Sequence, residues 1–191
     1  MLIKGHNLMM RPAAIVAALV MLVATTPACT AELAPDWRLE SADGDIVRLS
    51  DEIREQPAIL FFWATWCPYC KALMPHLQSM RLEYGDRVKI LAINFREDDD
   101  PVAFIKNAGY DFTVLPDGDE VAAAYGVHGT PGVIIVDGNR QMQFDLRTLP
   151  RRDPPAHAKS SSHRKKAAYR APYWAAEIRK SVDRVLEEAS Q

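Results

Sequence analysis

The stretch from Ala58 to Lys71 constrains this chain more than any other. Ile59 to Trp63 is an unbroken apolar run rich in β-formers, and such a strand needs cover on both faces. Ala64-Thr65-Trp66 reads as the turn that follows it. Pro68 suits the first position of a helix, where its missing N–H costs nothing. The spacing therefore predicts Cys67 as the N-cap and Cys70 in the first helical turn.

That placement dictates chemistry. A helix N-terminus offers unpaired N–H groups and a partial positive charge, both of which favour an anion. A thiolate at Cys67 gains from both, and its pKa is expected to fall from about 8.5 into the range ~3.5–7.5. Cys70, three residues on, is within reach of a disulfide, which needs a Cα separation of roughly 5–6 Å. Cys67 reads as the nucleophile and Cys70 as the sulfur that resolves the mixed disulfide. A Cys-x-x-Cys pair also serves as half of a zinc site, but such a site takes four ligands. The chain has 3 cysteines, no second Cys-x-x-Cys and no His-x-x-x-His, and His76 alone does not complete a tetrahedron.

Phe62 to Lys71, followed by Met74-Pro75, resembles the active-site segment of the thioredoxin superfamily. Gly126 to Pro131 resembles the second active-site loop of that family, which carries a cis-proline. With its leader and the opening from Trp37 to Ser50, the chain resembles the exported TlpA/ResA-like branch, over about residues 36–146. The resemblance implies an α/β thioredoxin fold: a mixed central sheet flanked by helices, with an N-terminal β-hairpin. It implies thiol–disulfide exchange through a Cys67–Cys70 disulfide, without cofactor or metal. Trp63 and Trp66 are expected to shield the site. Pro68 and Tyr69 lie between the cysteines, with Tyr69 modulating the thiolate and touching partners. Thr130 and Pro131 are expected to hold the incoming chain. The implied partners are exported cysteine-containing proteins, and a membrane electron donor restores the dithiol.

The Pro-Tyr dipeptide resembles that of glutaredoxins, whose potentials lie near about −200 to −230 mV. A reductant fits, in cytochrome c maturation or in reducing metal-site cysteines. Three positions depart from relatives. Leu73 stands where some members have a buried glutamate, Gly132 where cytochrome-maturation members have one, and Phe61 where thioredoxin has a buried aspartate. No local carboxylate is evident for the resolving proton. Ala64 replaces the threonine of the Thr-x-x-Cys peroxidase signature. A copper-binding periplasmic chaperone using Cys67, Cys70 and His76 or His128 is the alternative from another class.

Met1 to Ala28 reads as a secretory signal: Lys4 and Arg11, then an apolar core from Ala13 to Ala24, then small residues for cleavage. The apolar core is short of the about 20 residues a membrane span needs. The expected location is the periplasm. Cys29 is either a lipid-anchor site or a bystander near the cleavage point. A net charge of −2 gives no global basic field for nucleic acid.

Residues 29–191 then form one thioredoxin-like domain. Trp37 to Leu49 reads as a hairpin around Asp43-Gly44. Ser50-Asp51 is placed to cap a short helix. A helix is expected from Pro68 to about Tyr84, strands at Val88–Asn94 and Phe112–Leu115, and helices from Pro101 and Asp119. The acidic run Glu97 to Asp100 reads as a solvated loop with Asp100 as a helix cap. Gly132–Val136 and Gln141–Leu146 read as a second hairpin. Residues 148–172 hold seven basic residues and one acid among prolines and serines, and read as a mobile basic insertion. Tyr173 to Ala189 reads as the last helix.

Overall fold

A computed structural model describes residues 1–2, 32–152 and 161–190. Residues 3–31, which hold most of the expected leader and Cys29, lie outside the described residues. The chain divides into Met1–Thr30 and Ala31–Gln191, and the second unit carries the fold.

Two short strands, β1 (Arg38–Glu40) and β2 (Ile46–Arg48), pair antiparallel around Asp43-Gly44. Gly44 sits at φ 87°, a conformation that favours glycine. A short helix α1 (Leu49–Glu52) follows. Its N-cap is Arg48, without a side-chain bond, because Ser50 is engaged elsewhere. Ser50 donates from both N and Oγ to the Asp36 carboxylate, at 3.0 and 3.1 Å. The expected Ser50-Asp51 cap is corrected accordingly.

The five-stranded sheet has the order β5-β4-β3-β6-β7, from Thr113–Leu115, Lys89–Asn94, Ala58–Trp63, Gly132–Val136 and Met142–Asp145. The apolar run of β3 is central as expected: all six of its residues are buried. It pairs parallel with β4 and antiparallel with β6. Because alternate residues face opposite sides, Ile59, Phe61 and Trp63 enter one core with the helix α2 (Pro68–Tyr84), whereas Leu60 and Phe62 enter another beside β2 and α1. Two further helices, α3 (Pro101–Ala108) and α4 (Asp119–Ala124), follow β4 and β5. Asp100 caps α3, its carboxylate accepting from the Ala103 N–H at 2.9 Å.

The last helix, α5 (His163–Ala189), departs from expectation. It begins ten residues before Tyr173, so much of the presumed insertion is helical. Ser162 caps it through the Lys165 N–H, and Pro172 lies inside it. Composition hid this, because the run is rich in bases and prolines. The reason lies in packing: Ala167, Ala171 and Ala175 extend the buried stripe of Ile178, Val182 and Val185 upstream at helical spacing. The stripe lays α5 along α2, and exposed Arg164 and Lys165 face outward. Residues 153–160 lie outside the described residues.

Candidate active site

The strand β3 ends at Trp63, the chain turns through Ala64 to Trp66, and Cys67 occupies the N-cap of α2 with Pro68 next. The Cys67 sulfur accepts the Cys70 N–H at 3.1 Å, so a helix-terminal donor that lacks an intrahelical partner points at it. The two Cα atoms lie 5.3 Å apart and the sulfurs 2.50 Å apart. Both cysteines are buried, at 1% and 0% exposure. The sequence-predicted placement of this pair is the placement observed.

A carboxylate that the sequence reading passed over fixes the turn. Glu97 Oε2 accepts the Thr65 N–H and Oε1 the Thr65 hydroxyl, both at 2.7 Å. Oε2 also accepts the Asn94 side-chain amide at 2.7 Å, and Oε1 takes the N–H groups of Asp98 and Asp99 at 3.0 and 3.2 Å. Burial pushes the Glu97 carboxyl up. The Thr65 hydroxyl and N–H, the Asn94 amide and the Asp98 N–H outweigh it and hold the group below its ordinary range. Glu97 is thus an anion engaged in bracing rather than a group poised to move protons. Glu97 reaches the turn because β3 and β4 are parallel, so the loop after β4 emerges at the same end of the sheet as the cysteine turn.

Arg96 ties the second loop to the first. Its backbone carbonyl accepts the Trp66 indole N–H at 2.7 Å, and its guanidinium donates to the His128 carbonyl at 2.8 Å. Its own N–H reaches the Asp119 carboxylate at the start of α4, at 3.3 and 3.4 Å. Arg96 adopts φ 54°, a left-handed conformation uncommon for a residue other than glycine. Trp66 remains 52% exposed beside the buried pair, whereas Trp63 lies wholly within the core cluster that holds both cysteines.

The Thr130–Pro131 peptide is cis. Both residues are half-buried, and none of the backbone hydrogen bonds among the described residues uses Thr130. Gly132 follows where β6 crosses Phe62. A Cβ there would meet Val127 Cγ1 at 2.9 Å and Phe62 Cβ at 3.2 Å, so no larger side chain fits without displacement. Leu73 and Phe61, the other departures, are fully buried apolar core.

Thr130 and Pro131 share with Tyr69 a cavity of about 370 Å³ whose far wall comes from the chain after β7 and from α5. Tyr69 packs against Trp174 and His163, with ring centres 6.0 Å away in each case, and lies under the Arg170 guanidinium at 5.7 Å. Arg170 of this wall was missed because its segment read as insertion, whereas Tyr173 and Trp174 were read as part of the last helix and given no place at the site. His128 stays exposed and contributes its carbonyl rather than its ring. Among the described residues, no three His, Cys, Asp or Glu side chains converge in a metal-holding group, and none of their helices is long and apolar enough to cross a membrane.

The family model described as AhpC/TSA family matches residues 30–144. The thioredoxin-like protein YneN of Bacillus subtilis is 32% identical over 108 residues, covering 54% of this chain and 63% of that one. The thiol:disulfide interchange protein DsbE of Escherichia coli K12 is 30% identical over 115 residues, covering 58% of this chain and 60% of that one. The thiol-disulfide oxidoreductase ResA of Geobacillus thermodenitrificans is 32% identical over 139 residues, covering 71% of this chain and 79% of that one. The match to YneN and DsbE thus spans less than two thirds of their length. Among solved structures, a protein from Chlorobium tepidum described as a candidate DsbE superposes with a TM-score of 0.56 at 27% identity, over 73% of this chain and 96% of that one. The fold is thioredoxin-like.

Proposed function

The chain belongs to the AhpC/TSA family of thioredoxin-like proteins, and from that premise we propose that it is a thiol:disulfide oxidoreductase acting on exported proteins. The observation that carries this reading is the Cys67 sulfur at the N-terminus of α2, taking the Cys70 N–H with the Cys70 sulfur alongside. The names borne by YneN, ResA and DsbE support it.

In the reducing direction, the Cys67 thiolate attacks one sulfur of a substrate disulfide. A Cys67–substrate bond forms, the substrate S–S bond breaks, and the released substrate thiolate takes a proton. The Cys70 thiolate then attacks the Cys67 sulfur, forming the Cys67–Cys70 bond and releasing the second substrate thiol. Two electrons pass to the substrate and the protein pair is oxidised. The partial positive charge at the start of α2 stabilises the attacking anion. Thr130, with no described backbone partner, is free to pair with the substrate main chain. Trp66 borders the attack site.

Reduction of cytochrome-maturation or metal-site cysteines outside the cytoplasm is the direction proposed, with a membrane donor restoring the dithiol. Export through the leader belongs to the same proposal, and mass spectrometry of the mature N-terminus tests it together with lipid attachment at Cys29. The exchange itself is tested by trapping. Cys70→Ser is expected to accumulate mixed disulfides that Cys67→Ser does not form. Trapping by Cys67→Ser alone would reverse the assigned roles, equal trapping by both would remove the distinction between them, and none by either would remove the activity.

A further inference from the structure

The cavity beside the cysteine pair has an unusual charge. Arg147, Arg151, Arg152 and Arg170 line it, and no acidic residue does among the described residues. The chain as a whole is slightly acidic, at −2, so the positive character is local to this groove. Arg147 is already engaged with a carboxylate. It grips Asp145 through Nε and Nη2, at 2.9 and 2.5 Å, and donates to the Gly126 carbonyl. Arg151 and Arg152, which follow Pro150, are exposed. The Arg152 guanidinium lies 3.9 Å from the Tyr173 ring centre, which orients a weakly hydrated cation along the wall. Pro150 rigidifies the approach to both.

The same cavity takes Tyr69, Thr130 and Pro131 into its lining. A chain held at Thr130 and Pro131 with its cysteine at Cys67 therefore lays its neighbouring residues along the arginines. In an extended chain each residue advances about 3.3 Å, so positions within a few residues of the cysteine fall in the groove. Guanidinium groups pair with carboxylates through forked hydrogen bonds.

We propose that this groove selects polypeptide substrates whose reactive cysteine is flanked by aspartate or glutamate. The inference rests on the exchange activity proposed above and names its substrate class. Arg151 and Arg152 supply the selecting charge, and Tyr173 positions Arg152. Because both arginines are exposed, the selection acts through association and is screened by salt.

The test measures rates of reaction of the full-length dithiol protein with three disulfides. Two are peptides with a central cysteine flanked on each side by glutamates or by lysines, capped with β-mercaptoethanol. The third is neutral hydroxyethyl disulfide. At low ionic strength the glutamate peptide is expected to react about tenfold faster than the lysine peptide. The ratio is expected to approach one in 1 M salt, where the screening length is about 3 Å. Arg151→Glu/Arg152→Glu is expected to invert the preference. Equal rates for the two peptides, with hydroxyethyl disulfide still reduced, would overturn the substrate class and leave the exchange activity standing. Failure to reduce hydroxyethyl disulfide would remove the activity and this inference with it. Equal peptide rates, with arginine-dependent sedimentation on phosphatidylglycerol vesicles, would overturn it in favour of a membrane surface.

Discussion

The two sides of the Cys67–Cys70 pair are built on opposite plans. Toward β4, the turn is closed by polar contacts: Glu97 takes five N–H or O–H donors, and Arg96 links Trp66 to His128. Toward α5, Tyr69 and Pro131 open into a groove walled by aromatic rings and arginines. Half-buried hydrogen bonds that converge on one carboxylate fix geometry, because a rearrangement strands the buried Thr65 and Asn94 donors. Exposed cations over a concave wall fix little, but they bias what approaches. One side therefore positions the sulfur and the other meets the substrate.

The comparison can be broken most directly at the sulfur itself. Cys67→Ala is expected to abolish exchange with every disulfide, acidic or neutral, in a stopped-flow assay, since both sides serve that one nucleophile. Next in size is the closed side. Glu97→Ala strands the Thr65 and Asn94 donors and is expected to lower unfolding free energy by about 1–3 kcal/mol in urea titrations. It is also expected to slow exchange with charged and neutral disulfides alike, unlike a change in the groove.

Acid sharpens the same point. The Glu97 pKa is held below its unfolded value, so its contribution to stability is intact above the ordinary carboxylate range. It is lost as pH falls through the lower, folded-state pKa. The stability difference between wild type and Glu97→Gln is expected to be largest near neutrality and to shrink on acidification, as urea midpoints across pH would show.

The smallest effect is expected at the far anchor of the groove wall. Tyr84 on α2 donates to Asp183 on α5 at 2.7 Å, beside the Arg179–Glu83 ion pair. Burial and then the Asp183 bond push the Tyr84 hydroxyl up to about 12. Tyr84→Phe is expected to cost about 1 kcal/mol. Increased hydrogen exchange should be confined to α5, with the Cys67 turn unchanged.

Much of this was legible beforehand for a physical reason. Cys67, Pro68 and Cys70 act through local rules, since a cap, a first-turn proline and a three-residue spacing need no distant partner. The six buried residues of β3 announce a central strand in the same way. Gly126 to Pro131 was legible only through its resemblance, because a cis bond depends on surroundings the residue list does not contain. Glu97 was read as one member of a solvated acidic run. Its partner Thr65 is 32 residues away in the chain, and only the parallel pairing of β3 with β4 joins them. Ala167 and Ala171 carry little apolar signal within a basic segment, and only the packing of α5 on α2 gives them a buried face.

By itself, then, the sequence determined the strand, the turn and the cysteine helix, because short-range sterics and backbone hydrogen bonding suffice to specify them. The tertiary structure alone decided which carboxylate braces that turn, how far α5 reaches back, and that arginines from two separate segments line one groove. Those outcomes depend on which residues distant in the chain become neighbours, and that is set by sheet order and helix packing rather than by any local pattern.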